Sequence, residues 1–218
     1  MPPNSLYDRE SRKSLRPWFL VAALLLTWLV GMHGMRTGCQ TAAYLKNGAI
    51  PDTSEAVEDA READNPARAF DLLSASAEAG ALAETRERTL PLAVARLLLS
   101  TLLVAATALA LVGRRGAPRL LGQALIAMIA FAVIEYALTK DTRAIYLRTL
   151  ATSAAELGAG QAQGFVIKAR LLLSMKLVLI DVGAMVLTGM ALLSRRSRTF
   201  FDVTARAAEQ RVDEEDDL

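Results

Sequence analysis

Arg96, Glu135, Lys176 and Asp181 each interrupt a long apolar block of the chain. A charge at the centre of a lipid-crossing helix costs at least ~2.5–3.5 kcal/mol, so such residues pair, line water or reach the interface. Two kinds of chemistry are open to this set. Opposite charges can neutralise one another and fix which helices touch. Alternatively, a carboxylate at mid-depth with charged neighbours can pass protons or ions. Turned at about 100° per residue, the blocks also yield supporting polar stripes. Arg96, Ser100 and Thr107 fall at spacings of four and seven, and Ser174, Asp181 and Thr188 recur every seven. On the same wheel Lys176 lies ~140° from Asp181, so those two need not share a partner.

The elements that must hold these residues are set by the blocks themselves. At ~1.5 Å per residue, ~20 apolar residues cross the ~30 Å hydrocarbon layer. Residues 17–35 carry no charge and open with Trp18 and Phe19; residues 89–113 hold Arg96; residues 120–139 hold Glu135; residues 171–194 hold Lys176 and Asp181. The expected fold is therefore an all-α integral membrane protein, a four-transmembrane-helix bundle. A polar, basic segment, 1–16, precedes the first span. Helical segments outside the bilayer, 36–88 and 140–170, and a short loop, 114–119, join the spans, and a basic-then-acidic tail, 195–218, follows. The short loop forces its flanking helices to run antiparallel. The first block reads as a retained span, because Met32, His33 and Met35 stand where a signal-peptide cleavage site wants small residues. The nearest lipobox-like stretch, Arg36-Thr37-Gly38-Cys39, has Arg36 where an apolar residue belongs.

Segment 36–88 holds ten acids against six bases and no strand alternation. Asp52-Thr53-Ser54-Glu55 and Asp64-Asn65-Pro66 both read as helix starts, the second with proline at the first helical position behind a cap. Ala67, Phe70, Leu73, Ala77 and Leu82 then fall on or near one face, with Gly80 as an expected interruption. Segment 140–170 reads as helical from Asp141 to Leu157, then loosened by Gly158, Gly160 and Gly164. Both segments are expected to be amphipathic helices outside the membrane. Within the spans, Thr27, Gly31, Gly34 and Gly38, and also Gln123, Ala127 and Ala130, would let backbones approach closely.

Basic residues near the spans orient the chain. With the N terminus inside, Arg12, Lys13, Arg16, Arg114, Arg115, Arg119, Arg195, Arg196 and Arg198 flank the inner ends. Arg36, Arg86, Arg88, Lys140, Arg143, Lys168 and Arg170 flank the outer ends, a balance of nine to seven. The acid-free arginine loop favours both termini in the cytoplasm and the longer segments in the periplasm. The Arg/Ala/Leu-rich style suggests a bacterial inner membrane. In this topology Arg96, Glu135 and Lys176 lie ~6–11 Å below one surface, with Asp181 ~15 Å deep.

Composition narrows the function classes. With 53% apolar residues, mean hydropathy +0.28, net charge +2 and 6% aromatics, no basic stripe with stacking rings appears, so nucleic acid is not an expected partner. The single histidine, His33, argues against a haem held by two histidines, leaving Met32 or Met35 as the conceivable second ligand; packing at the interface is the simpler role. The single cysteine, Cys39, allows no intrachain disulfide; it is either a free thiol or an intermolecular link. No phosphate loop, zinc spacing or Ser/His/Asp set is present. Glu55, Glu58, Asp59 and Glu62 follow no calcium-loop pattern and resemble a solvated helix face. The two halves share no repeated motif of the kind transporters carry. The expectation is a non-enzymatic membrane protein without cofactor, an accessory or scaffold subunit in contact with lipid and other subunits or copies of itself. A small ion- or proton-conducting protein and a membrane sensor with an outer helical domain are the alternatives.

Overall fold

Long runs of Leu, Ala and Val favour helices because a helix satisfies its own backbone groups where no water can. The computed structural model describes residues 17–47, 53–114 and 116–203, without the side chain of residue 159, and among them every regular element is a helix. The basic N-terminal residues, Asp52, Arg115 and the acidic run after residue 203 lie outside the described residues. In chain order the helices are α1 (Trp18–Asn47), α2 (Thr53–Arg61), α3 (Pro66–Glu84), α4 (Arg86–Val112), α5 (Ala117–Leu138), α6 (Lys140–Ala155) and α7 (Ala159–Met175). A π-helical segment (Lys176–Gly183) and α8 (Ala184–Leu193) continue α7, and residues 195–203 form a last helix, α9. Four stretches are long and apolar enough to cross a membrane: Trp18–Asn47, Arg86–Val112, Ala117–Leu138 and Gly160–Leu193.

Local chemistry sets the joints. Asn65 accepts the Arg68 N–H at 2.8 Å with Pro66 behind it, so α3 starts where its cap requires. Thr85 divides α3 from α4, donating its hydroxyl to the Ala81 carbonyl at 2.8 Å. Gly113 and Gly116, both at φ 80, make the tight connection into α5, a conformation that disfavours any side chain. Gly158, at φ 146, breaks the chain between α6 and α7.

Several elements depart from the sequence expectations. The first helix does not stop at Met35 but runs through Arg36 to Asn47. Gly80 does not interrupt α3: buried Ala77 and Ala81 on either side hold the helix through it. Gly160 and Gly164 do not loosen the chain either, because both lie inside α7, whose Phe165 and Ala169 are buried. Ala67 is exposed, so the packed face of α3 is Ala69, Phe70, Leu73, Ser76 and Ala77. Ser194 ends α8 with ψ 143, and the basic cluster after it opens a new helix.

The described residues form two compact units, 17–35 with 98–130 and 181–203, and 36–97 with 131–180. In the first, Leu20, Leu24, Leu103, Ala106, Leu121, Ala124, Met128 and Met185 build the core. Its buried positions on α1, namely Leu20, Leu24, Thr27, Gly31 and Gly34, alternate by four and three, the spacing of a packed helix seam. In the second, Val57, Phe70, Leu73, Ala77, Leu150, Ala154 and Phe165 pack together, with Phe70 and Phe165 edge to face at 5.4 Å. Lys168 Nζ lies 3.9 Å from the centre of the Phe70 ring. On the four long stretches only 33, 28, 28 and 17% of the most apolar window is buried. The remaining Leu, Ile and Val surface suits lipid far better than water.

Candidate functional site

The site begins with the seam on α4. Thr89 and Ala93 are buried in the second unit, and the next position in the same alternation is Arg96. On α5 the corresponding step leads from buried Ala132 to Glu135. The two meet: Arg96 Nη2 lies 2.8 Å from Glu135 Oε2, with the side chains 13% and 19% exposed. The backbone at Glu135 is also fixed, since its carbonyl accepts the Thr139 N–H at 2.9 Å and the Thr139 hydroxyl at 2.7 Å. Behind Arg96, α1 comes close. A Cβ on Gly38 would stand 3.0 Å from both the Ala93 carbonyl oxygen and the Leu97 nitrogen. Glycine is thus the residue that lets the α1 backbone rest against the turn carrying Arg96.

Energetics decide what such a pair does. Two unit charges ~4 Å apart attract by ~4 kcal/mol at an effective dielectric of ~20. Removing both from water costs several kcal/mol per ion, so the closed pair is near break-even against apolar residues. Losing one partner is the expensive event. The ion pair thus ties α4 to α5 at that contact.

The glycines of α1 continue the same contact within the first unit. A Cβ on Gly34 would collide with the Ser100 hydroxyl, and one on Gly31 would stand 2.7 Å from Val104 Cγ2. Ser100 is fully buried, and its hydroxyl has no hydrogen-bond partner among the described residues. Thr107, also fully buried, donates to the Leu103 carbonyl at 2.7 Å in its own helix. The Thr188 hydroxyl lies 2.5 Å from that of Thr27 and 3.1 Å from the Ala23 carbonyl, joining α8 to α1.

The fourth span departs from the wheel. A π-helix bonds i to i+5, so residues five apart stand nearly above one another. The ~140° that a uniform α-helical wheel sets between Lys176 and Asp181 therefore does not hold across Lys176–Gly183. The seven-residue stripe fails for the same reason: Thr188 is buried, whereas Ser174 is exposed and donates to its own Arg170 carbonyl at 3.0 Å. Lys176 and Asp181 are both half-buried, and Lys176 pairs with no carboxylate among the described residues. On α5 the small-residue expectation also fails. Gln123 and Ala130 are exposed and Ala127 half-buried, while Leu121, Ala124, Leu125 and Met128 face the core.

Sequence reasoning did not join Thr27 to Thr188 or the glycines to Ser100. The available signal was Thr27, the one Ser or Thr in residues 17–35, at the same four-and-three spacing as Leu20 and Leu24. His33 and Cys39 are both exposed. Among the described residues no group of three or more His, Cys, Asp or Glu side chains could hold a metal ion. The half-buried Tyr146 phenol, in α6, is pushed above its usual value by burial, against the Ser74 hydrogen bond and with a small addition from the charge of Glu78. No family model, curated protein or solved structure matches the chain.

Proposed function

We propose that the chain is a non-enzymatic multi-pass membrane protein, a four-transmembrane-helix bundle with amphipathic helices in its two outer segments, acting as an accessory or scaffold subunit of a membrane complex. The observation that supports this reading is the closed Arg96–Glu135 pair, 2.8 Å apart. A conducting path needs polar groups that can exchange partners at each depth. Here Thr107 and Ser174 donate to their own helices, which favours a structural use of polarity. The fourth span, with 17% of its window buried, keeps the most apolar surface for lipid, another subunit or a second copy. In this reading both termini lie in the cytoplasm of a bacterium, with residues 36–88 and 140–170 on the periplasmic side.

Extraction in a mild detergent followed by mass spectrometry of co-purifying proteins tests the proposal. The expected result is a membrane partner, or a second copy, at fixed stoichiometry. A chain that stays alone in several mild detergents would refute it. One observation favours conduction as a second reading: a π-helical segment, a geometry frequent at functional sites, carries both Lys176 and Asp181 in the least buried span. Under that reading Asp181→Asn abolishes ion flux into proteoliposomes at normal expression. Under the scaffold reading wild-type protein gives no flux to lose.

A further inference from the structure

We propose that α9 and the α4–α5 connection form a belt that binds the headgroups of anionic phospholipids. The inference rests on the reading that the four long helices cross a bilayer, and it concerns one end of the first unit.

The belt is built from the sequence upward. Ser194 turns the chain out of α8, accepts the Ser197 N–H at 3.3 Å and so caps α9. Ser197 is fully buried, and Phe200 and Phe201 are 7% and 8% exposed. Both rings belong to the cluster that contains Leu20, Ala110 and Ala117, which lie near the ends of α1, α4 and α5. The inward face of α9 is thus anchored where three helices terminate. Its outward face carries Arg195, Arg196 and Arg198, all exposed, and exposed Arg114 of the connection and Arg119 in the first turn of α5 add to them. The only acid on α9 among the described residues is Asp202. With its apolar face packed on the protein, α9 turns its basic face outward at the ends of the long helices, where juxtamembrane basic residues meet anionic headgroups.

Two features select a lipid over a soluble anion. Val112 and Leu193, 72% and 66% exposed, stand two residues from Arg114 and Arg195 respectively. A phospholipid satisfies both surfaces at once, acyl chains on the apolar residues and phosphate on the guanidinium groups. Trp18, 80% exposed at the start of α1, marks the same interfacial level. The first turn of α9 also carries the positive end of its helix dipole, so its three arginines gain from an anion placed there.

The test uses the full chain in detergent with an equal mixture of phosphatidylglycerol and phosphatidylcholine, counting retained lipids by native mass spectrometry. Each arginine near an anionic surface contributes about fivefold, so retention should favour phosphatidylglycerol by at least ~10-fold. Replacing Arg195, Arg196 and Arg198 together by Gln should bring the ratio close to one, and by Lys should leave it largely intact. Phe200→Ser with Phe201→Ser should lower it although every charge remains. High salt should lower it in the unaltered protein, which decides the matter even where a variant does not fold. Equal retention of the two lipids by the unaltered protein overturns the inference. So does a preference that survives in the Gln variant, or displacement of the lipid by inorganic phosphate. Failure of the membrane reading is separable: the unaltered protein would then leave the membrane fraction in an alkaline wash.

Discussion

Replacing Glu135 by Gln removes one charge of the Arg96–Glu135 lock while keeping its size and a carbonyl to accept a hydrogen bond. In the intact protein the groups are 2.8 Å apart and 13% and 19% exposed. Breaking a fully buried pair by losing one partner costs ~3–5 kcal/mol, and a lone charge inside a membrane helix costs at least ~2.5 kcal/mol. Residual exposure lowers the first figure, because Arg96 can reach toward the interface. A destabilisation of ~2–4 kcal/mol follows for Glu135→Gln. Arg96→Met takes the guanidinium away from the Glu135 carboxylate and should cost a similar amount. The double variant removes both charges, so it should be more stable than either single one, with a coupling energy of ~2 kcal/mol. Reversible unfolding by sodium dodecyl sulfate in mixed micelles measures all four proteins. Additive single effects, or a Glu135→Gln variant within ~0.5 kcal/mol of the parent, would show that the contact does not lock α4 to α5.

Two further outcomes follow from the packing. Gly38→Ala drives a methyl against backbone atoms 3.0 Å away, which cannot yield as a side chain would, and should cost ~1–3 kcal/mol in the same titration. Gly122→Ala, with nothing within 4 Å of the new methyl, should instead gain ~0.5–1 kcal/mol; equal effects at the two sites would refute the close approach of α1 to α4. Burial raises the Tyr146 phenol above its ordinary 10.0, so the neutral form is favoured in the folded state and the unfolded state ionises first. The stability this contributes is present below pH 10.0 and is lost as pH climbs through the higher folded value. Thermal melts of Tyr146→Phe should accordingly lose less stability than the parent above that pH.

The sequence was most legible where a single physical demand dominates. Lipid-length apolar runs announced four helices, since a helix is the one local solution for a backbone without water. Asn65 and Pro66 announced the start of α3 because a cap and a fixed φ act within one turn. Glycine was the poor guide. Gly80, Gly160 and Gly164 were expected to weaken helices, yet each sits inside one. Their cost of ~1 kcal/mol apiece is outweighed by burial of neighbours such as Ala77 and Phe165, which no local rule registers. Gly113 and Gly158 do end helices. Composition alone does not separate the two kinds.

The candidate site was legible to the extent that its elements obey one helical period. On α4 they do, and Arg96, Ser100 and Thr107 lie on one seam, with Arg96 meeting Glu135 as opposite charges at one depth should. On the fourth span the period changes between Lys176 and Gly183. Each residue there turns the chain by less than in an α-helix, so an extrapolation at about 100° per residue accumulates error. Positions before the segment and after it then fall out of phase, which is how Ser174 became exposed while Thr188 reached Thr27. A π-helical turn arises when the surroundings reward an extra residue, and the reward here is visible only in three dimensions: Thr188 and Met185 are seated in the first-unit core. The residues inside such a segment are consequently the ones whose neighbours a wheel assigns wrongly. Lys176 and Asp181 both lie inside it.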